Sequence, residues 1–344
     1  MLDEEALLSA ARGGDSRAYD VIAGKYRREL AGYCYRFLGS PIDAEDAVQE
    51  ALFAAWRGLP GFEGRSSLRS WLYRITTNVC LRLSTHRTGR LLSPDRCPPR
   101  RASDDVGEPV PGPVWLEPWP DDVPDDTPGP DALYLSRESV ELAFVAALQH
   151  LPATQRAVLL LREVLQFSAA EVADLLDTTP ASVNSALQRA RDTVRNRVPH
   201  RSQQVELAAL GEAETRRLVD AFVDAWQRAD VDALVALLTE DVRFAMPPLP
   251  AWFDGRPAVL AFMRQRVLIA PWWLVRIAVN QQLAFACYQQ DNSTGVRRLA
   301  AVNVLEVHAG RIHTMTGFLD PATHAALSVP PTLPPPSGDV RAER

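Results

Sequence analysis

The chain has 344 residues, a length that favours two or three domains over one. It is 47% hydrophobic and 23% charged, enough apolar matter for real cores and too much for a wholly disordered chain. No apolar run reaches the roughly 18 residues of a transmembrane helix, and the acidic start Met1-Leu2-Asp3-Glu4-Glu5 lacks the apolar stretch of a secretory signal. Cys34, Cys80, Cys97 and Cys287 lie far apart with no CxxC, which argues against a zinc site or a disulfide framework and for a reducing, cytoplasmic setting. The net charge of −6 is an average over unlike pieces: −4 for residues 1–56, +8 for 57–101, −9 for 102–135 and +1 for 136–201. That asymmetry says more than the total.

Residues 3–90 read as helical. From Asp15 to Leu38 apolar groups recur every three or four positions, at Tyr19, Ile22, Tyr26, Leu30, Tyr33 and Phe37. Gly39-Ser40-Pro41 breaks the pattern. The spacing predicts further helices over about 43–57 and 68–82, and three helices with short connections make a small bundle. On the first of these, Asp43, Asp46, Gln49 and Glu50 form an acidic face opposite the apolar one. Such a face is an ordinary solvated surface or a docking surface for a basic partner. The stretch from Phe62 to Asn78 interleaves arginines, aromatics and small hydroxyl residues, a composition suited to unstacked nucleic acid. Trp71, at helical spacing, reads as core, and Phe62 as the better stacking candidate.

Residues 92–131 hold 11 prolines and almost no apolar periodicity, so they read as an extended acidic linker. Within it, Trp115-Leu116-Glu117-Pro118-Trp119-Pro120-Asp121 is too apolar to stay in water, and docks either on this chain's own domains or on a partner. Residues 134–200 form a second helical unit. Ser168-Ala169-Ala170-Glu171 has the form of a capping box, and Thr179-Pro180 opens another helix with threonine at the N-cap. Two short helices joined by a tight turn make a helix-turn-helix pattern. The second helix carries Ser182, Asn184, Ser185, Gln188 and Arg189 outward, side chains that hydrogen-bond base edges. Residues 212–328 change to two helices followed by five strand-like stretches with a helix between the first two, an α+β unit with a mostly antiparallel sheet. The tail from Pro330 is proline-rich and reads as disordered.

Taken in order, Asp43-Ala-Glu-Asp-Ala-Val-Gln-Glu50, Trp71-Leu-Tyr-Arg-Ile-Thr-Thr-Asn78, Leu151-Pro with Gln155-Arg156 and Val158-Leu159, Ser168-Ala-Ala-Glu-Val-Ala173 and Val183-Asn-Ser-Ala-Leu-Gln-Arg-Ala-Arg191 resemble the bacterial sigma-70 family. The resemblance is to the compact extracytoplasmic-function (group 4) members, which contain regions 2 and 4 only. It implies a region 2 domain at 1–91, a linker at 92–133 and a region 4 domain at 134–201. Two all-α sigma domains are thus expected, a helical bundle and a helix-turn-helix. It further implies that Asp46, Gln49 and Glu50 dock on the β′ clamp helices of core RNA polymerase, the β subunit being a second contact. Phe62, Arg65, Ser66 and Ser67 would take a flipped base of the −10 element, Arg74 and Asn78 would position the melted strand, and Ser182, Asn184, Ser185, Gln188 and Arg189 would read the −35 element. Asn184 stands where the family commonly has arginine, so the −35 preference does not transfer. In the family the linker threads through the polymerase cleft.

The segment 205–328 resembles the SnoaL-like α+β cone fold, through Phe222 and Trp226 in its opening helix, the run ending at Phe244 and the turn Asp254-Gly-Arg-Pro257; 329–344 is then a tail. This implies a regulatory domain with room for a small ligand, no cofactor and no metal. The rival reading is a cyclase-, isomerase- or hydrolase-like enzyme fused to a transcription factor, with Asp241 or Asp254 as base and Asn303, His308 and His313 nearby. Structural roles suit those histidines better, and the first reading is a non-enzymatic initiation factor for promoter DNA with no membrane association.

Overall fold

The computed structural model describes residues 4–85, 89–121, 140–199, 201–291 and 294–334. The chain forms two compact units, Met1–Leu91 with Asp126–His200 and Leu92–Asp125 with Arg201–Arg344. None of the helices among the described residues is long and apolar enough to cross a membrane.

The first unit begins with α1 (Glu4–Arg12), α2 (Ser16–Leu38), α3 (Pro41–Gly58) and α4 (Leu68–Thr85). The predicted break between α2 and α3 is a joint of two caps. Gly39 closes α2 in the left-handed region at φ 74°, where glycine carries no Cβ penalty. The Ser40 hydroxyl then accepts from the Asp43 N–H at 3.3 Å, with Pro41 in the first turn. Leu30, Tyr33, Cys34, Tyr35 and Phe37 of α2 are fully buried, with Ala44, Ala47 and Val48 of α3 and Tyr73 and Cys80 of α4. Asp43, expected on the acidic outer face, is buried instead, and its carboxylate accepts from Arg90 at 2.6 Å.

The second part of this unit comprises α6 (Leu142–Gln149), α7 (Ala153–Leu159, extended by a π turn over Leu160–Val164), α8 (Ala169–Leu175) and α9 (Pro180–Arg195); α5 (Ser93–Arg96) belongs to the other unit. The capping box is formed in full. Glu171 N–H donates to Ser168 Oγ at 3.2 Å and Ser168 N–H to the Glu171 carboxylate at 2.7 Å. Thr179 caps α9 through the Ser182 N–H at 3.2 Å. These helices pack on the N-terminal bundle. Tyr73 meets Phe167 edge-on at 5.5 Å, and Arg69, paired with Glu29, lies 4.8 Å from the same Phe167 ring. The buried Arg156 guanidinium donates to the carbonyls of Phe37, Gln149 and Leu151. Burial pulls its pKa down to about 10. Gly89 sits so close to Gln149 that a Cβ would stand 2.6 Å from its carbonyl oxygen.

The second unit contains α10 (Gln203–Leu210), α11 (Glu212–Gln227), α12 (Val231–Leu237) and α13 (Arg256–Phe262, with a π turn over Met263–Val267). Its strands are β1 (Leu238–Ala245), β2 (Trp252–Asp254), β3 (Trp272–Val279), β4 (Gln282–Gln290), β5 (Arg297–His308), β6 (Arg311–Phe318) and β7 (Thr332–Leu333), with α14 (Pro321–Ala326) before the last. The sheet order is β2-β1-β6-β5-β4-β3, with β7 on β5. The sheet is mixed, because β1 lies parallel to β6 while the other pairs are antiparallel. A core of Phe222, Trp226, Phe244, Phe253, Phe262, Phe285 and Met315 fills the space between the helices and the sheet.

Residues 92–121 differ from a free linker. They run along this α+β unit and are held there by their backbone. Arg100 N–H donates to Trp252 O at 2.8 Å, Val110 N–H to Pro248 O at 3.0 Å and Asp121 N–H to Ala278 O at 3.1 Å. Trp115 and Leu116 are buried. The tryptophan-rich patch therefore docks on its own chain, one of the two alternatives open from sequence. Proline explains how: with many N–H groups missing, the segment forms little regular structure beyond the short α5 and borrows partners one at a time. Residues 122–133 of the expected linker, and most of the tail, lie outside the described residues.

Candidate nucleic-acid interface

On α3 the apolar spacing turns Ala44, Val48, Ala51, Leu52 and Ala55 inward, which leaves Asp46, Gln49 and Glu50 exposed together. Glu50 is paired with Arg82 of α4. Two large apolar side chains share this outward face: Ile42 is 49% exposed and Phe53 is 62% exposed. Sequence reading passed over both. The available signal was their spacing, since 42, 46, 49 and 53 follow one helical stripe.

The loop before α4 presents Arg65, Ser66 and Ser67 to solvent, and α4 presents Arg74 and Asn78 one turn apart. Ser67 also builds the helix start, its hydroxyl accepting from the Ser70 N–H at 3.1 Å. Phe62 departs from expectation. It is 7% exposed and packs on Trp71 with ring centroids 5.0 Å apart, while Trp71 is the more accessible of the two. Gly58 explains this, because Trp71 lies against its bare Cα, where a Cβ would come within 3.3 Å of the indole. The indole thus covers the helix end and Phe62 tucks beneath it. A base would meet Arg65, Ser66 and Ser67 before it met Phe62.

On α9, Val183, Ala186, Leu187 and Ala190 are buried, and Ser182, Asn184, Ser185, Gln188 and Arg189 are all exposed on the opposite side. The spacing that makes the helix amphipathic thereby gathers the side chains expected from sequence to read bases onto one surface. Gln188 holds Asp192 at 3.2 Å, and Arg191 is paired with Glu163 of the π turn at 2.5 Å. The first contact engages the amide of Gln188 itself, and the second holds Arg191 beside the exposed surface.

In the α+β unit the polar residues singled out from sequence divide. Asn303 is buried at 2%, beside Gly317, where any Cβ would stand 2.8 Å from its amide oxygen. The buried Trp226 indole N–H has no hydrogen-bond partner. Asp254 pairs with Arg243 at 3.4 Å on the surface, and Asp241 lies beside His313, also on the surface. His308 is exposed near Glu206. The carboxylates named as candidate bases thus stand outside the core that holds Asn303.

This architecture, a helical bundle with a helix-turn-helix and an appended cone-like α+β unit, has clear relatives. Residues 22–89 match Sigma-70 region 2, residues 141–194 match Sigma-70 region 4, and residues 219–315 match the SnoaL-like domain. ECF RNA polymerase sigma factor SigG of Mycobacterium tuberculosis is 40% identical over 327 residues, covering 94% of this chain and 86% of its own length. The ECF RNA polymerase sigma-E factor of Escherichia coli is 29% identical over 198 residues, covering 57% of this chain and 95% of its own length. The crystal structure of the extracytoplasmic function sigma factor SigJ of Mycobacterium tuberculosis matches with a TM-score of 0.57 at 21% identity, covering 88% of this chain and 96% of that one. The chain belongs to the ECF RNA polymerase sigma factors, carrying a SnoaL-like domain at its C-terminal side. It is a transcription initiation factor that works with RNA polymerase at promoters.

Proposed function

We propose that this sigma factor docks on core RNA polymerase through the outward face of α3, with Asp46, Gln49 and Glu50 against the β′ clamp helices. Arg65, Ser66, Ser67, Arg74 and Asn78 receive the melted −10 strand, with Phe62 reached only after its ring leaves Trp71. Ser182, Asn184, Ser185, Gln188 and Arg189 read the −35 element in the major groove. The protein acts in the cytoplasm, on promoter DNA, and is not itself an enzyme. The observation that carries this reading is the clean division of α9, where apolar positions are buried and base-reading positions are exposed. The domain limits 1–91, 134–201 and 205–328 fit this division of labour.

The SnoaL-like domain acts as a regulator by holding the linker. Trp119 N–H donates to Asn280 Oδ1 at 2.8 Å, Asn280 N–H to Trp119 O at 2.9 Å and Gln281 N–H to the Asp121 carboxylate at 2.7 Å. A linker so held is not free to thread through a polymerase cleft. Freeing it is tested in the full-length chain with Trp119→Ala combined with Asn280→Ala. Promoter-dependent transcription with purified core enzyme should change, and activity equal to the parent at all concentrations would overturn the regulatory role.

The enzymatic alternative for this domain lacks support. The relatives are sigma factors, and the candidate bases Asp241 and Asp254 lie on the surface.

A further inference from the structure

Four titratable side chains that the sigma activity does not use meet at one end of the sheet. His308 ends β5 and His313 lies on β6, and their ring centroids are 6.1 Å apart at 63°. Each ring is backed by a carboxylate through the same nitrogen. His308 Nδ1 lies 3.4 Å from Glu206 Oε1, and His313 Nδ1 lies 3.3 Å from Asp241 Oδ1. Thr239 Oγ1 stands 3.4 Å from His313 Nδ1 as well. Glu206 is itself almost buried, and its other oxygen accepts from the Ala309 N–H at 3.1 Å.

A carboxylate at Nδ1 fixes the tautomer that carries its proton there and leaves Nε2 as a lone-pair donor, the arrangement found behind metal-binding histidines. Two imidazoles bound through Nε2 to one tetrahedral ion, each nitrogen about 2.0–2.1 Å from it, hold their centroids about 5–6 Å apart. The observed centroid separation of 6.1 Å is within about 1 Å of that range. The two carboxylates also balance the charge of a divalent cation without occupying its coordination sphere. Among the described residues no group of three or more His, Cys, Asp or Glu side chains is placed to hold an ion. The feature is a histidine pair open to solvent, whose remaining positions water would fill. Imidazole donors select the zinc, nickel and copper class over magnesium or calcium.

We infer that His308 and His313 form a binding site for a divalent transition-metal ion, with Glu206 and Asp241 orienting the two rings. Because Glu206 belongs to α10 and also holds the Ala309 amide at the β5–β6 turn, occupancy tightens α10 on that turn. Gln203 already grips the same strand, accepting from Val307 N–H at 2.6 Å and donating to Val307 O at 3.1 Å.

The test is calorimetric titration of the metal-free full-length chain with zinc(II) and, separately, nickel(II). The parent should bind one ion, and His308→Gln and His313→Gln should each weaken binding at least about tenfold. Glu206→Gln and Asp241→Asn should weaken it less, and Cys97→Ser should leave it unchanged. Exchange of the Ala309 amide should slow with zinc in the parent and not in the histidine variants. Absence of binding up to about 1 mM metal, or equal binding by the parent and the His308→Gln/His313→Gln double variant, would overturn the inference. Both histidines are partly exposed, so the variants should keep the parent's thermal transition, which circular dichroism checks.

Discussion

Phe53 is a large apolar side chain that is 62% exposed, with the Arg57 guanidinium 5.9 Å from its ring centre. On a face that also carries Asp46, Gln49 and Glu50, such a side chain suits an interface anchor ringed by polar contacts. Phe53→Ala is expected to lower affinity for core polymerase about tenfold while moving the thermal midpoint little, since it removes no packing from the core. Fluorescence anisotropy of labelled protein against core enzyme measures the first, and a melting curve the second. Glu171 gives a residue-scale prediction of another kind. Hydrogen bonds from the Ser168 side chain and then its backbone hold the Glu171 carboxyl below the ordinary range. A carboxyl lowered in the folded state contributes stability that is complete above its unfolded pKa and lost as pH falls through the folded one. The stability gap between parent and Glu171→Gln should therefore be constant above the ordinary carboxyl range and close as pH falls below it, as denaturant titrations at several pH values would show. Ser168→Ala should cost about 1 kcal/mol at neutral pH.

At the scale of elements, α9 is the most exposed to test. Each base contact proposed for Asn184, Gln188 or Arg189 would be worth about 1–3 kcal/mol of discrimination. Alanine at any of these should relax preference at one or two −35 positions, whereas Arg195→Ala, exposed beyond the reading surface, should weaken binding to all sequences and reduce its salt dependence. Binding to a randomised −35 library at two salt concentrations separates the two. Much of this was legible in the sequence, because helices declare themselves through a period that every residue repeats: α2, α3, α4 and α9 fall within a few residues of the spacing that predicts them. Three features were not legible. Asp43 satisfied the acidic period of α3, yet Arg90, 47 positions away, draws it inside. Phe62 and Trp71 exchange their expected exposure because Gly58 offers one indole-sized space. Residues 92–121 have no period at all, and their order comes from isolated backbone contacts to strands and turns far along the chain. For Asp43 and for residues 92–121 the deciding partner is remote in sequence, and one sequence does not name remote partners.

At the scale of the whole molecule, the packing of regions 2 and 4 sets a constraint. A unit of their combined length has a radius of gyration of about 15 Å, whereas elements named for positions about 25 base pairs apart lie about 85 Å apart on B-DNA at 3.4 Å per step. The packed form, with Arg156 bonded to Phe37 O and Arg69 against Phe167, cannot read both at once and must open on the polymerase. Dyes on α3 and α9 should move apart by tens of ångströms when core enzyme is added, and energy transfer that stays constant would contradict the opening. The segmental charges take on meaning in this frame. The +8 stretch carries the residues proposed for melted DNA, and part of the −9 stretch is fastened to the SnoaL-like domain. The most direct test of the central claim is run-off transcription by purified core polymerase on fragments of the organism's own genome, with the parent chain or with Asp46→Ala/Glu50→Ala. Transcripts with defined start sites that need the parent chain and fall at least about tenfold with the variant are expected. Transcription that is independent of the chain, or equal with both proteins, would contradict the account.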